Sequence, residues 1–329
     1  MRKLFLFLLT MSFCTTAIAV GDRGLAAWEA GDFTTAFKEW KPYADKGNSG
    51  AQYSIGLLYR DGKGVQKDDK EALAFFQKAA EQGHADAQLL VGTYYAAGRI
   101  VAHDDKKSAF WFRKAAEQGL VKAQYLLAGY YINGMGVPQN DAEGAAWYRK
   151  AAEQGDVPSE TALGQMYASG RGLDRDFQQA AMWYRKAAEQ GNADAQYALA
   201  YRLQLGGLGD LVIPKVNDVP RDYEQAIFWL RKASAQKHAG AQLQMGIAYS
   251  NGWGVQVSKV VGLALADLAN VPLNETPWRD TLTRKNRIAE MTAKEIEAAA
   301  KLTQEMAKGR VLEEIDKYIT QVWQTGIHQ

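Results

Sequence analysis

A five-residue segment that recurs at a constant interval constrains the fold of this chain more than any other feature of its sequence. The segment Ala-Ala-Glu-Gln-Gly begins at Ala79 and returns unchanged in steps of 36 residues (Ala115, Ala151 and Ala187). A weaker copy begins at Ala44, and a fifth, Ser-Ala-Gln-Lys, begins at Ser234 after an insertion. Self-similarity with a period of this size is the signature of a solenoid of stacked repeats.

Each repeat holds two helical patterns. In the first, small or apolar residues recur at intervals of four, as at Ala51, Ile55 and Tyr59, which places them on one face of a helix. A glycine follows in every repeat, where a left-handed residue commonly ends a helix (Gly62, Gly98, Gly134, Gly170, Gly206 and Gly252). The second pattern begins at a good N-cap residue (Asp68, Asp104, Asn140, Asp176, Asp222 and Ser258). The sequence therefore predicts helix–turn–helix units.

The second helices carry aromatic or apolar pairs (Phe75-Phe76, Trp111-Phe112, Trp147-Tyr148, Trp183-Tyr184 and Trp229-Leu230). One helical pair cannot bury its own apolar face, so we expect these residues to pack in a core shared between neighbouring repeats. Basic pairs follow them, and each is followed by a glutamate three or four residues later (Glu117, Glu153 and Glu189). This spacing indicates a solvent-exposed face on which the glutamates offset the basic charge. It does not favour a surface that binds phosphates.

Three stretches carry the pattern most clearly: 51–83, 123–155 and 195–237. It reads Ala-Gln-Tyr-x-x-Gly-x-x-Tyr, then Gly-x-Gly-Val, a capping acid, and Trp-Tyr-x-Lys-Ala-Ala-Glu-Gln-Gly. This pattern resembles the Sel-one-like repeat, a relative of the tetratricopeptide repeat, and the resemblance covers roughly residues 22–305. The resemblance implies an all-α, right-handed α-solenoid of helix-turn-helix repeats, with first helices that line a concave surface.

The N-terminal segment is typical of a secretory signal peptide. Arg2 and Lys3 precede an apolar run, and Ala17-Ile18-Ala19 supplies a small-residue cleavage site. Cys14, the single cysteine, follows bulky Phe13, which argues against a lipoprotein signal. We therefore expect an exported protein, periplasmic or secreted, whose mature form has no cysteine for a disulfide, a thiol nucleophile or a metal site.

The predicted domain organisation follows from these segments. It consists of a signal peptide (1–19), a repeat solenoid (20–270) with an insertion at 206–219, and a C-terminal region (271–329). Two amphipathic patterns, 292–308 and 312–323, predict capping helices that cover the apolar end of the solenoid.

Charge excludes two classes of partner. Without Arg2 and Lys3, the basic and acidic side chains are equal in number, 37 of each. A neutral chain lacks the basic surface that binds nucleic acid or an anionic membrane. The apolar run at the N-terminus is too short to span a bilayer. We expect neither a nucleic-acid partner nor stable membrane insertion.

No catalytic constellation stands out, and we expect no cofactor and no metal. The histidines are dispersed, without metal-ligand spacing. Ser234 and Lys237 match a Ser-x-x-Lys acylation motif, but its partner motifs are absent and Ser234 takes the place of a repeat alanine. The turn glycines lack the preceding strand of a dinucleotide-binding loop.

What remains is a candidate binding surface. In a repeat scaffold, first-helix positions beside the core stripe are free to fit a partner, although solvent-facing filler is an equal alternative. By helical projection these are Ser54, Leu57, Asp61, Leu90, Thr93, Asn133, Gln165, Tyr201, Leu205, Gln244, Ile247 and Asn251. The insertion adds apolar candidates that need cover from a partner or from the array itself (Leu208, Leu211 and Ile213).

These observations favour a non-enzymatic, exported scaffold that binds another protein. The resemblance implies two roles. One is an immunity protein that neutralises a phospholipase effector of type VI secretion, a secreted lipase toxin, in the periplasm. The other is a general adaptor in envelope assembly or secretion. An envelope hydrolase with an unrecognised site is a further alternative.

Overall fold

The computed structural model describes residues 21–206, 220–269 and 291–325, and within these ranges every regular element is an α-helix. By its internal contacts the chain divides into two compact units, one ending at Asn140 and the other beginning at Asp141. This boundary lies inside the predicted solenoid. The predicted signal peptide, the insertion and the loop after residue 269 fall outside the described residues.

The first unit is a succession of antiparallel helix pairs in which each helix packs against the next. Its helices are α1 (Gly21–Glu29), α2 (Phe33–Asp45), α3 (Ser49–Asp61), α4 (Asp69–Glu81), α5 (Ala85–Ala97), α6 (Asp105–Glu117) and α7 (Val121–Asn133).

The second unit continues the same alternation and ends with two further helices. Its helices are α8 (Asp141–Ala152), α9 (Val157–Ser169), α10 (Phe177–Glu189), α11 (Ala193–Leu205), α12 (Tyr223–Ala235), α13 (Ala239–Asn251), α14 (Lys259–Leu268), α15 (Ala293–Ala307) and α16 (Val311–Thr325). The predicted helix-turn-helix solenoid is therefore confirmed.

The N-caps fix where the helices begin. The predicted caps Asp68, Asp104, Asp176, Asp222 and Ser258 each accept a hydrogen bond from a backbone N–H in the first turn. For example, Asp176 Oδ1 lies 2.9 Å from the amide nitrogen of Gln179. Helix α8 begins directly after Asn140, as predicted.

The turn glycines end the first helices as predicted. Gly62, Gly98, Gly134, Gly170 and Gly252 all adopt left-handed backbone angles. Gly206 differs, since its φ is 64° but its ψ is −162°, and the insertion follows it directly. A second glycine in the same turn, Gly172 in the fourth repeat, is required by close packing. A Cβ on Gly172 would lie 2.4 Å from the carbonyl oxygen of Asp141. The repeat that lacks this glycine has Ile100 there, and Ile100 packs against the core instead.

The core is built from the residues that recur. The repeat alanines and most of the aromatic pairs are buried, and Phe76, Phe112 and Leu230 are nearly inaccessible to solvent. Trp111, Trp147 and Tyr148 are only half-buried. The expectation of core packing thus holds for most of the pairs, while these three aromatics lie at the edge of the core.

The two last helices cap the second unit. Helix α15 packs on α14, and α16 packs on α15 and α12. Leu302, Met306, Val311 and Ile315 are buried in the same core cluster as the repeat residues. Thr292 and Glu295 form a full capping box at the start of α15. The predicted C-terminal cap is confirmed, within two residues at each helix end.

Candidate protein-binding surface

The predicted binding positions lie on first helices, and we call them the first-helix surface. In the first unit they are Ser54, Leu57 and Asp61 on α3, Leu90 and Thr93 on α5, and Asn133 on α7. In the second unit they are Gln165 on α9, Tyr201 and Leu205 on α11, and Gln244, Ile247 and Asn251 on α13. Leu208, Leu211 and Ile213 lie outside the described residues.

Exposure divides these positions into two sets. Asp61, Thr93, Asn133, Gln165 and Asn251 are exposed, and the other described positions are half-buried. Leu57 and Leu90 are half-buried because they pack against the core cluster formed around Phe76 and Val91. These two leucines therefore belong partly to the core, and only their outer edges are open to a partner.

The polar members near the helix ends bond to their own helices. Thr93 Oγ1 donates to the carbonyl of Leu89 at 2.9 Å, and Asn133 Nδ2 donates to that of Gly129 at 2.8 Å. Asn251 Nδ2 donates to the carbonyl of Ile247 at 2.9 Å. Such local bonds hold each side chain in one orientation, so that the surface presents defined polar groups.

Asp61 places an ion-paired carboxylate at one end of the first-unit surface. Its carboxylate lies 2.7 Å from Arg60 Nε and 3.9 Å from Lys63 Nζ. The hydrogen bond from Arg60 holds the pKa of Asp61 below its ordinary value. Asp61 therefore stays ionised at neutral pH and can accept hydrogen bonds from a partner.

A glutamine ladder, which the sequence analysis missed, joins the helices beneath this surface. Gln52 Nε2 donates to the carbonyl of Ala44 at 3.1 Å, and Gln82 Nε2 donates to Gln52 Oε1 at 2.7 Å. The arrangement recurs at Gln88 with Gln118, and at Gln196 with Gln236. Gln52, Gln88 and Gln196 are buried, and each donates one hydrogen bond and accepts another, so they help to fix the spacing of successive helices. The Ala-Gln pair that recurs in the first helices is the sequence feature from which this ladder could have been predicted.

Glu160 occupies the ladder position in α9. Its side chain is 3% exposed, and its Oε2 accepts a hydrogen bond from Gln190 Nε2 at 2.8 Å. Burial raises the pKa of this carboxyl, against the opposing effects of Lys186 and Gln190. An ionised carboxylate cannot donate to a backbone carbonyl as the glutamines do.

Two arginines of the basic pairs have partners that the sequence analysis did not predict. Arg113 and Arg149 donate to tyrosine hydroxyls on the next helix, and the Arg149 Nη2–Tyr167 OH distance is 2.6 Å. Each tyrosine stands 18 residues after its arginine, so spacing within one helix could not reveal the bond. The lysines of these pairs lie over aromatic rings, as Lys150 Nζ does, 3.8 Å from the Trp147 centroid.

An open cleft of about 660 Å³ lies between α8 and α10 in the second unit. Arg149, Tyr167, Asp174, Arg175 and Trp183 contribute to its walls. Its charges are mixed, and Arg149 is already bonded to Tyr167, so the cleft offers no concentrated field for one class of ligand.

Residues that the sequence singled out for chemistry have structural partners. Ser234 is fully buried, and its Oγ faces the Met245 sulfur at 4.0 Å, as expected for a side chain in an alanine position of the core. His84 and His238 cap α5 and α13 through Nδ1. In the described part of the chain, no group of three or more His, Cys, Asp or Glu side chains is placed to hold a metal ion.

Within the described ranges, no helix has both the length and the apolar character needed to cross a bilayer.

The comparisons with known proteins agree with this geometry. A crystal structure of a Sel1 repeat protein from Oxalobacter formigenes is 29% identical, with a TM-score of 0.65, and the match covers 75% of this chain and 97% of that one. The antigen c5321 of uropathogenic Escherichia coli, which displays an SLR fold, is 27% identical over 90% of this chain and 85% of its own, with a TM-score of 0.47.

An immunity protein of Pseudomonas aeruginosa, Pa5087, is 19% identical over 66% of this chain and 83% of its own, with a TM-score of 0.36. No curated protein matches the sequence. The Sel1 repeat model matches six consecutive segments: 49–84, 85–120, 121–156, 157–192, 193–238 and 239–269. Because these matches span most of the chain and coincide with the observed helix pairs, the chain belongs to the Sel1 repeat family.

Proposed function

We propose that this chain is an exported, non-enzymatic scaffold that binds a protein partner through its first-helix surface. One observation carries the proposal: equivalent positions hold different residues in successive repeats, on a scaffold whose caps and core recur. The position of Leu57 in α3 is taken by Thr93 in α5, Gln165 in α9, Tyr201 in α11 and Ile247 in α13. Tyr201 and Ile247 are half-buried and add apolar area at this position, which a protein partner would cover.

The remaining features support binding over catalysis. The buried polar groups described above bond to one another, and Ser234 is enclosed by the core. The half-buried members of the surface, such as Tyr201 and Ile247, are the kind of anchor that protein interfaces use, and the exposed amides beside them supply hydrogen bonds.

The experiment is capture of partners by tagged residues 20–329 from periplasmic and secreted fractions, followed by mass spectrometry. A partner recovered in stoichiometric amount should be lost with Gln165→Arg, which places a bulky cation on the first-helix surface. Met182→Arg is the matched control, since Met182 is 40% exposed on the second helix α10 of the same repeat. Equal loss with both variants, or with neither, would refute binding through the first helices.

The finer proposal is that the partner is a phospholipase toxin delivered by type VI secretion, which this chain neutralises in the periplasm. Its support is the family resemblance together with the predicted signal peptide. The test is an inhibition assay, in which the purified chain should abolish the lipase activity of the captured partner at a one-to-one ratio. A captured lipase that remains fully active would refute the immunity role.

A general adaptor in envelope assembly or secretion makes the opposite prediction in cells. Deletion of an immunity gene should be harmless in a monoculture that lacks the toxin and lethal when the toxin is present. Deletion of an adaptor gene should harm the envelope without any toxin, and the captured proteins should be envelope-assembly components.

A further inference from the structure

The end of α12 departs in charge from the equivalent end of the other second helices. Where those helices have glutamate (Glu81, Glu117, Glu153 and Glu189), α12 has Ala235. Where they are followed by glycine (Gly83, Gly119, Gly155 and Gly191), α12 is followed by Lys237. This helix end has therefore lost a negative charge and gained a positive one.

A groove lies beside this helix end. It has a volume of about 480 Å³ and is formed by α12 and the start of α16, with one residue of α11, Gln196. Phe228, Ala235 and Leu312 are its apolar lining, and Lys232 and Gln236 are among its polar lining residues. Phe228 is 48% exposed.

The charge of the groove is not neutralised from within. Lys232 Nζ lies 4.6 Å from the Phe228 centroid, and no acidic side chain of the described residues pairs with it within 4.0 Å. The neighbouring Arg231 differs, because its Nη2 is bonded to Asp316 Oδ2 of α16 at 2.6 Å. Lys232 is thus the cation that the groove can offer to a ligand.

Helix α6 supplies an internal comparison. Phe110 is 52% exposed, and Lys114 Nζ lies 5.1 Å from its centroid, so the aromatic–lysine pair is the same. On α6, Glu117 follows Lys114 one turn later, so the positive electrostatic potential that attracts an anion is weaker there than beside Lys232 on α12. The α12 site thus combines the exposed ring and the lysine with the loss of the acid and the added wall of α16.

We propose that this groove docks an acidic, apolar segment of a partner protein. An apolar side chain of the segment packs against Phe228, Ala235 and Leu312, and an adjacent Asp or Glu carboxylate pairs with Lys232. Lys237, one residue beyond Gln236, adds a second positive charge at the same helix end. Charge complementarity selects the acid, and the apolar lining selects its neighbour.

This groove is separate from the first-helix surface, so the proposal stands or falls independently of the proposed function. The charge also argues against nucleic acid, since two lysines beside an apolar floor are too few to follow a phosphate backbone.

The first experiment selects peptides from a phage-displayed library of random dodecapeptides on the full mature chain, residues 20–329. Counter-selection uses Ala235→Glu, which restores the residue of the other repeats and is compatible with their fold. Peptides that bind the wild type but not Ala235→Glu should carry Asp or Glu within two residues of Leu, Ile or Phe. If no peptide distinguishes the two proteins, or if the distinguishing peptides carry no acid, the proposal is overturned.

The second experiment measures the affinity of a synthetic peptide from this selection by fluorescence polarisation. We expect Lys232→Gln and Ala235→Glu each to weaken binding about fivefold, the effect of one exposed charge pair. Phe228→Ala should weaken it about tenfold through loss of the aromatic anchor. Lys114→Gln, the matched control on α6, should leave the affinity unchanged.

Two further readouts separate the proposal from its competitors. Replacement of the acid in the peptide by its amide should weaken binding about as much as Lys232→Gln does. Vesicles of phosphatidylglycerol should not compete for the peptide. An equal loss with Lys114→Gln, no loss on amidation, or displacement of the peptide by vesicles at the Lys232 site would each overturn the proposal. Unchanged thermal unfolding of the variants confirms that they are folded.

Discussion

The fourth repeat (157–192) and the fifth (193–238) share their architecture, and four of the positions at which they differ separate two kinds of change. Two of the differences are inside the protein: Glu160 against Gln196, and Ala188 against Ser234, all of them buried. Two are outside: Glu189 against Ala235, and Gly191 against Lys237. The inner pairs are similar in size, whereas the outer pairs alter charge and backbone freedom.

Side-chain size limits which residues the inner positions accept, whereas the outer positions are free to vary. In the fourth repeat a carboxylate stands where the fifth has an amide, and both accept a hydrogen bond from the glutamine at the end of the following second helix. At the outer positions no packing opposes substitution, so the fifth repeat could acquire a cationic, apolar groove.

Gly172→Ala should break the fourth repeat. The left-handed φ of 70° and a Cβ placed 2.4 Å from the Asp141 backbone leave no room, so we expect a loss of more than about 3 kcal/mol in the free energy of unfolding. Gly191→Ala is the control, because Gly191 also has a positive φ but nothing lies within 4 Å of its Cβ position. Its cost should be only about 1–2 kcal/mol. Equal losses in urea unfolding would contradict the close-approach argument.

Glu160→Gln should give the fourth repeat the same glutamine ladder that the fifth repeat has at Gln196. The amide can donate to the carbonyl of Ala152, at the place where Gln196 donates to Ala188, and we expect a gain of about 1–2 kcal/mol at pH 7. Urea unfolding of variant and wild type provides the measurement.

The difference in the free energy of unfolding between the wild type and Glu160→Gln should depend on pH. Burial raises the pKa of Glu160 above the ordinary 4.5, so the folded state holds its proton more tightly than the unfolded state. The wild type therefore loses stability as pH rises from 4.5 through the folded pKa, and the gain from Glu160→Gln should shrink over the same range as pH falls through the folded pKa to 4.5. A gain that is constant from pH 4 to pH 8 would show that Glu160 does not titrate in this way.

Lys237→Gly should stabilise the fifth repeat. Lys237 has a φ of 63° and is, in the described part of the chain, the non-glycine residue with a positive φ. Removal of its Cβ relieves this strain, and we expect a gain of about 1 kcal/mol. Lys237→Ala keeps the Cβ and should give no such gain. If alanine stabilises as much as glycine, the charge rather than the backbone is responsible.

Arg231→Ala should loosen the contact between the fifth repeat and α16. Its bond to Asp316 joins two helices that are distant in sequence, but Asp316 is 56% exposed, so we expect a loss of about 1 kcal/mol. Arg185 occupies the equivalent position in the fourth repeat and is exposed. Arg185→Ala should change stability by less than about 0.5 kcal/mol in thermal unfolding. A larger loss of stability with Arg185→Ala than with Arg231→Ala would contradict a stabilising role for the Arg231–Asp316 bond.

His84→Asn should keep the helix cap and alter the pH dependence of stability. Asn192 already caps the first helix of the fifth repeat through the same bond that His84 makes to Ala87. Burial lowers the pKa of His84 below 6.5, so the unfolded state binds the proton more tightly, and the wild type loses stability as pH falls below 6.5. The wild type should lose less than about 1 kcal/mol more than the variant between pH 8 and pH 5. An identical loss in both proteins would contradict the assignment.

Much of the fold could be read from the sequence because its determinants are local and repeated. Asp176 caps α10 through an amide only three residues away, and Gly170 ends α9 through its own backbone angles. The closing helices could also be read, since their apolar residues recur with a helical period. The site was harder to read, because helical projection gives a direction but not an exposure. Leu57 and Leu90 therefore proved to be partly core.

The repeat, its helix boundaries and the family follow from the amino-acid sequence, because capping bonds and apolar periodicity act over a few residues and recur along the chain. Which side chains meet depends on how the helices pack. The Arg149–Tyr167 bond spans 18 residues, the Gln118–Gln88 bond 30, and the Arg231–Asp316 bond 85. No local pattern encodes such pairs, because their partners come together only when helices stack. The groove beside Lys232 is likewise formed only where α16 packs against α12.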